Sequence, residues 1–177
     1  MQTDVKQMKK LTVAALCLAL CLVLPFLTAN SIALGNMLSL MHIPVLLCGL
    51  TCSWPLGLLI GFLAPLLRCF LLGAPPVMIA VPMAFELAVY GLITGLLYPR
   101  VKGKKAGIYL ALIPALVTGR IMAAAVKFSM LGLGYLQSFT LGQFVQAYLV
   151  IQWPGILLQL VLIPLVVFAL QKANLME

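Results

Sequence analysis

At 177 residues the chain is one domain in length, but 64% hydrophobic residues, 8% charged residues and a mean hydropathy of +1.21 exclude a soluble globule. The formal net charge of +8 does not indicate nucleic acid, because the basic residues are clustered as topology signals and form no face of a soluble fold. The composition is that of a polytopic, all-α membrane protein.

Lys6, Lys9 and Lys10 precede the first apolar run, predicted to span over residues 10–28. Crossing the hydrocarbon core takes about 20 apolar residues. Leu11 to Leu27 meets that length without a small-x-small cleavage site, so it reads as a retained first helix, not a removed signal. Residues 29–41, which include Asn36, are too polar early on to continue the helix and form an outer loop. A short second span is predicted over 42–53, turned by Ser53-Trp54-Pro55 into a third over 55–72. Gly73-Ala-Pro75-Pro76 is a stiff outer connector, since proline fixes the backbone and removes a donor. The fourth span, 78–98, ends at Tyr98-Pro99 and enters a connector holding Arg100, Lys102, Lys104 and Lys105. The fifth covers 107–131, an outer segment covers 132–147, and the sixth covers 148–171 before Lys172. The basic residues outside the spans thus share one side. The positive-inside rule then gives six spans with both termini and the 99–106 connector in the cytoplasm.

Four ionisable residues remain inside the apolar runs: Arg68, Glu86, Arg120 and Lys127. A charge at the bilayer centre costs about 2.5–3.5 kcal/mol on insertion scales, so it normally faces a bundle interior or wet cavity. At 1.5 Å per residue, Glu86 lies roughly 12 Å below the outer surface, Arg120 roughly 16 Å and Lys127 about 6 Å. Glu86 and Arg120 are therefore expected to pair, leaving Lys127, and Arg68 near the outer end of span three, to meet an anion. Tyr90 lies one turn below Glu86, and Gln152 and Gln159 are two turns apart on span six. Polar amides facing lipid would go unsatisfied, so these also point inward. The expected site is an outward-facing pocket among spans three to six, lidded by the 29–41 and 132–147 segments. Its candidate substrate-binding residues are Asn36, Arg68, Glu86, Tyr90, Arg120, Lys127, Gln152 and Gln159.

Plainer readings stand beside each of these. Glu86–Arg120 can be a structural pair, Arg68 and Lys127 can snorkel to headgroups, and the two glutamines can simply join helices. His42 before Pro44 reads as an interfacial helix start, and Trp54 and Trp153 as interface anchors. Cys17, Cys21, Cys48, Cys52 and Cys69 lie in apolar segments with one His in the whole chain, so they read as small buried hydrophobes and not as metal ligands. Ala15/Ala19, Gly57/Gly61, Gly91/Gly95 and Ala111/Ala115 allow close helix approach, the last three within the chain itself. Walker, HExxH and GxSxG motifs are absent, so neither an enzyme nor a cofactor or metal site is expected.

The chain resembles a substrate-binding S component of the energy-coupling factor (ECF) vitamin transporters. The resemblance rests on size, six spans, basic ends, Ala15-x-x-x-Ala19, His42-Ile-Pro44, Gly49, Trp54, Gly57, Gly61, Pro65, Arg68, Gly73, Pro75-Pro76 and the run Met83-Ala-Phe-Glu86-Leu with Tyr90-Gly91. It implies a subunit of the prokaryotic plasma membrane that captures a vitamin from outside through the first outer loop and spans four to six. It further implies association, through Ala15 and Ala19 of span one, with a transmembrane coupling subunit driven by two ATPase subunits. Excess interior cation favours an anionic substrate, with a small carboxylate such as pantothenate preferred, and riboflavin, folate and a thiamine precursor left open. Two other readings survive: a small structural or assembly membrane protein, and a stand-alone small permease.

Overall fold

The computed structural model describes residues 2–28, 37–104, 106–136 and 140–173. These residues are mostly helical, joined by short turns, with no strand among them. The first helix, α1 (Gln2–Val23), runs into a 3₁₀ turn at Leu24–Thr28. It is followed by α2 (His42–Thr51), α3 (Trp54–Leu72), α4 (Val77–Val101) and α5 (Gly107–Gly132). A short α6 (Leu141–Val145) leads through a π turn at Gln146–Ile151 into α7 (Trp153–Lys172). Most predicted boundaries agree to within a few residues. Helix α4 continues past Pro99, which stands in its last turn, where one lost backbone bond is tolerated.

The six-span expectation is met in part. Five segments are long and apolar enough to cross a membrane, beginning with Lys6–Leu27, and α2 is not among them. At ten residues it rises about 15 Å, half the core thickness. Helix α2 is instead enclosed by the bundle, with His42, Ile43, Pro44, Val45, Leu46, Cys48, Gly49 and Leu50 all buried. Such a half-length helix is stable at membrane depth because neighbouring helices, not lipid, surround its open end.

Successive long segments run antiparallel. The Cys52 thiol meets the Lys10 carbonyl at 3.4 Å, the Gly95 backbone abuts Trp54, and Gln171 Nε2 donates to the Tyr98 hydroxyl at 2.6 Å. The N-terminal lysines, the basic connector and the C-terminal end of α7 therefore gather at one end of the bundle. The opposite end holds the α3–α4 connector, where Gly73 closes α3 in the left-handed conformation (φ 66°).

Helices α2, α3 and α4 cross through glycines. A Cβ on Gly57 would stand 2.6 Å from the Gly91 carbonyl oxygen and 2.9 Å from the Gly49 Cα, closer than real contacts allow. The small-xxx-small pairs of spans three and four thus serve packing within the chain, as expected. Ala111 and Ala115 are fully buried against the same core, which includes Leu46, Leu87, Tyr90, Leu112 and Ile163. The cysteines are free, and Cys17, Cys48 and Cys52 share a small apolar cluster between α1 and α2.

Candidate functional site

The half-length α2 starts inside the protein, and that start forms the floor of the site. Ser39 takes a positive φ of 45°, rare for a residue with a side chain, and its carbonyl accepts from the His42 amide at 3.0 Å. Pro44 fits the first helical turn, where no donor is needed. His42 is consequently a helix-start residue, as the sequence suggests, but it is 3% exposed and lies in the interior, not at an interface.

Opposite His42, α4 presents Ile79, Met83 and Glu86 on one face, at i, i+4 and i+7 spacing. Glu86 is 2% exposed. The Tyr90 hydroxyl, one turn further along, donates to Glu86 Oε1 at 2.7 Å. His42 Nε2 stands 3.8 Å from the same oxygen, too long for a hydrogen bond, and the His42 and Tyr90 rings are 5.5 Å apart. Gly119 on α5 makes this arrangement possible, because a Cβ there would collide with the Tyr90 ring.

The third wall comes from the chain before α7. Thr140 caps α6 through a reciprocal capping box with Gln143, at 3.3 and 3.0 Å, so part of the predicted outer segment is helix. Pro154 sits in the first turn of α7 and sets its start five residues beyond the predicted position. Between them the π turn carries Tyr148, which is buried and stacks on Phe144 with ring centroids 4.7 Å apart. Ser39, His42, Ile79, Met83, Glu86, Tyr148 and Gln152 line a partly open cavity of about 90 Å³.

The expected Glu86–Arg120 ion pair does not form. Arg120, buried on α5, donates to the main-chain carbonyl of Tyr148, and its guanidinium carbon lies 5.6 Å from the Tyr148 ring centroid. A π turn shifts the backbone ladder by one residue, and Arg120 supplies a donor to that irregular stretch. Lys127 Nζ lies 4.7 Å from the same ring. Tyr148 is therefore the common neighbour of both cations and of the cavity, and Glu86 is the charged residue in the cavity wall.

The other candidates are dispersed. Arg68 is apart from the cavity: its Nε donates to the Ala74 carbonyl at 3.1 Å, and its guanidinium lies 5.4 Å from the Phe26 ring. It ties the α3–α4 connector to the end of α1. Gln152 lines the cavity with Oε1 buried and unbonded. Gln159 is fully buried, with neither side-chain polar atom hydrogen-bonded, but does not line the cavity. Asn36 lies outside the described residues. Ala15 and Ala19 are exposed on α1, whereas Ala14, Cys17 and Cys21 face the bundle. Sequence reasoning missed Tyr148, Ser39 and the interior role of His42. The legible signal for His42 was a polar residue directly before a prolonged apolar run.

Among the described residues no group of His, Cys, Asp and Glu side chains could hold a metal ion. Among the described residues the architecture is a helical bundle with a small, partly open polar cavity beside Glu86. Residues 9–176 match the family described as ECF transporter, substrate-specific component. The chain belongs to that family. It is thus a multi-pass, substrate-specific membrane subunit of an ECF transporter, whose general partners are a substrate and the transporter's energising module. No curated protein and no solved structure matches it.

Proposed function

We propose that this ECF substrate-specific component captures a vitamin or related micronutrient from outside a prokaryotic plasma membrane and delivers it to an ATP-driven importer. The observation that supports this reading is the buried carboxyl group of Glu86 in the wall of a small polar cavity, with Tyr90, His42 and Gln152 around it. A buried carboxyl group is costly to desolvate, and the one hydrogen bond from Tyr90 offsets only part of that cost, which favours a role beyond packing. The end of the bundle that gathers Lys9, Lys10, Arg100, Lys102 and Lys172 is the cytoplasmic end by the positive-inside rule, and the cavity lies toward the other.

The chain binds and carries, while ATP hydrolysis occurs on two partner subunits coupled through a transmembrane subunit. A small anionic substrate such as pantothenate suits Arg120 and Lys127 beside the Tyr148 rim. Native mass spectrometry of the detergent-purified chain tests the reading. A co-purifying micronutrient, or sub-micromolar binding of one from a vitamin panel, supports it. Binding of none, together with no ATPase subunits in a pull-down of the intact complex, overturns it.

A further inference from the structure

We infer that the substrate is bifunctional: its deepest group is an O–H or N–H donor received by Glu86, and its anionic group sits on the Tyr148 side, toward Arg120 and Lys127. This rests on the substrate-capture reading above and specifies how that site would read its ligand.

The argument starts from the cavity wall. A ligand whose carboxylate entered first would meet the Glu86 carboxylate, and two like charges in a desolvated space repel strongly. Glu86 Oε1 accepts from Tyr90. A carboxyl group has more acceptor sites than that one bond uses, so Glu86 has capacity left for a guest. Gln152 Oε1 is a second buried oxygen without a donor in the same wall. His42 adds two buried nitrogens without a hydrogen-bond partner, one of them 3.8 Å from Glu86. Two acceptor oxygens facing one cavity call for a donor-rich group, and buried polar atoms are rarely left unsatisfied in a working complex. The cations stand elsewhere. Arg120 and Lys127 flank the Tyr148 ring, at 5.6 and 4.7 Å from its centroid, so positive charge lies behind one wall and negative charge in another. The complement of such a site is a hydroxy- or amino-substituted acid, oriented donor end down.

Binding to the wild-type protein in nanodiscs, followed by isothermal calorimetry or thermal shift, separates the classes. The probes are pantothenate and biotin, which carry both a donor and a carboxylate; nicotinate and lipoate, which carry a carboxylate without such a donor; and thiamine, which carries donors without a carboxylate. The expected result is that a bifunctional probe binds at least about tenfold tighter than any single-function probe, the scale of one charge-assisted hydrogen bond. Glu86→Gln should weaken that probe by about tenfold or more while leaving the unfolding temperature close to wild type. Tight binding of nicotinate or lipoate, or of thiamine, above the bifunctional pair overturns the inference and leaves substrate capture standing. So does equal affinity of wild type and Glu86→Gln for the best probe. Failure of every probe to bind also overturns this inference, while capture itself stands or falls on the native mass spectrometry and pull-down above.

Discussion

Tyr90 donates its hydroxyl proton to Glu86 Oε1 at 2.7 Å, with both residues on α4 and both buried. One helical turn separates them, so the pair is built into the secondary structure and needs no loop to assemble it. The Tyr90 ring is in turn held against Gly119 of α5. The geometry of the carboxylate is therefore fixed by helix packing before any ligand arrives, which limits the ordering cost of binding.

Tyr90→Phe removes that donor and leaves the ring. The buried carboxyl group then loses its Tyr90 donor, at a cost of about 1–3 kcal/mol in stability for a buried acceptor left unpaired. Thermal unfolding in detergent should show the loss. In Tyr90→Phe combined with Glu86→Gln the deficit should shrink, because the carboxyl group that the Tyr90 hydroxyl serves is gone. A double-mutant cycle with no coupling between the two positions would show that the hydrogen bond contributes nothing.

Gly91→Ala tests the crossing of α3 and α4. A Cβ there would overlap the Gly57 backbone, which cannot rotate away as a side chain could, so the helices must separate. Overpacking of this kind costs about 1–3 kcal/mol. Gly132→Ala is the control, since nothing lies within 4 Å of the added carbon and the backbone there is not left-handed. It should be neutral or stabilising by roughly 0.4–1 kcal/mol through the unfolded chain. Unfolding of both variants in one detergent compares them directly.

How much of this was legible in the sequence follows from what each signal measures. Hydropathy reports solvent, so the five long helices were readable from apolar runs alone. The same signal could not show that α2 stops halfway, because a lipid-facing and a protein-enclosed apolar helix have the same composition. Glu86 stood out because a charge in an apolar run needs a reason, and the structure places it in a cavity. Depth along a helix was computable, whereas rotation about its axis was not. Glu86 and Arg120 accordingly met the depth criterion for a pair, yet Arg120 turns to the Tyr148 carbonyl. Rotation likewise decides Arg68, which points toward Phe26 and Ala74 and away from the cavity. Tyr148 was invisible because its importance comes from a π turn, which no local pattern in residues 146–151 announces.

Arg120→Ala should affect binding through Tyr148 more than through direct contact with substrate. The guanidinium donates to the Tyr148 carbonyl, so its loss leaves a buried acceptor bare and frees the cavity wall to shift. The expected outcome is a loss of about 1–3 kcal/mol in stability and a sharp drop in affinity for the best probe. Lys127→Ala leaves that hydrogen bond intact and should lower affinity for anionic ligands with a smaller change in stability. Equal effects of the two variants on unfolding temperature would contradict the separate roles assigned to them.

Ala15 and Ala19 give the test of partner docking. They lie exposed on one side of α1 while Ala14, Cys17 and Cys21, on another, are buried against the bundle. Small residues on an outward helix face permit close approach of a second helix, and larger ones prevent it. Ala15→Leu with Ala19→Leu adds volume only on the outward side, so the fold and ligand affinity should remain at wild-type values. Recovery of the coupling and ATPase subunits with the tagged chain should fall by at least about tenfold if this face carries the contact, since close packing is lost at two positions one helical turn apart. Undiminished recovery of those subunits alongside the doubly substituted chain would place the contact on a different helix.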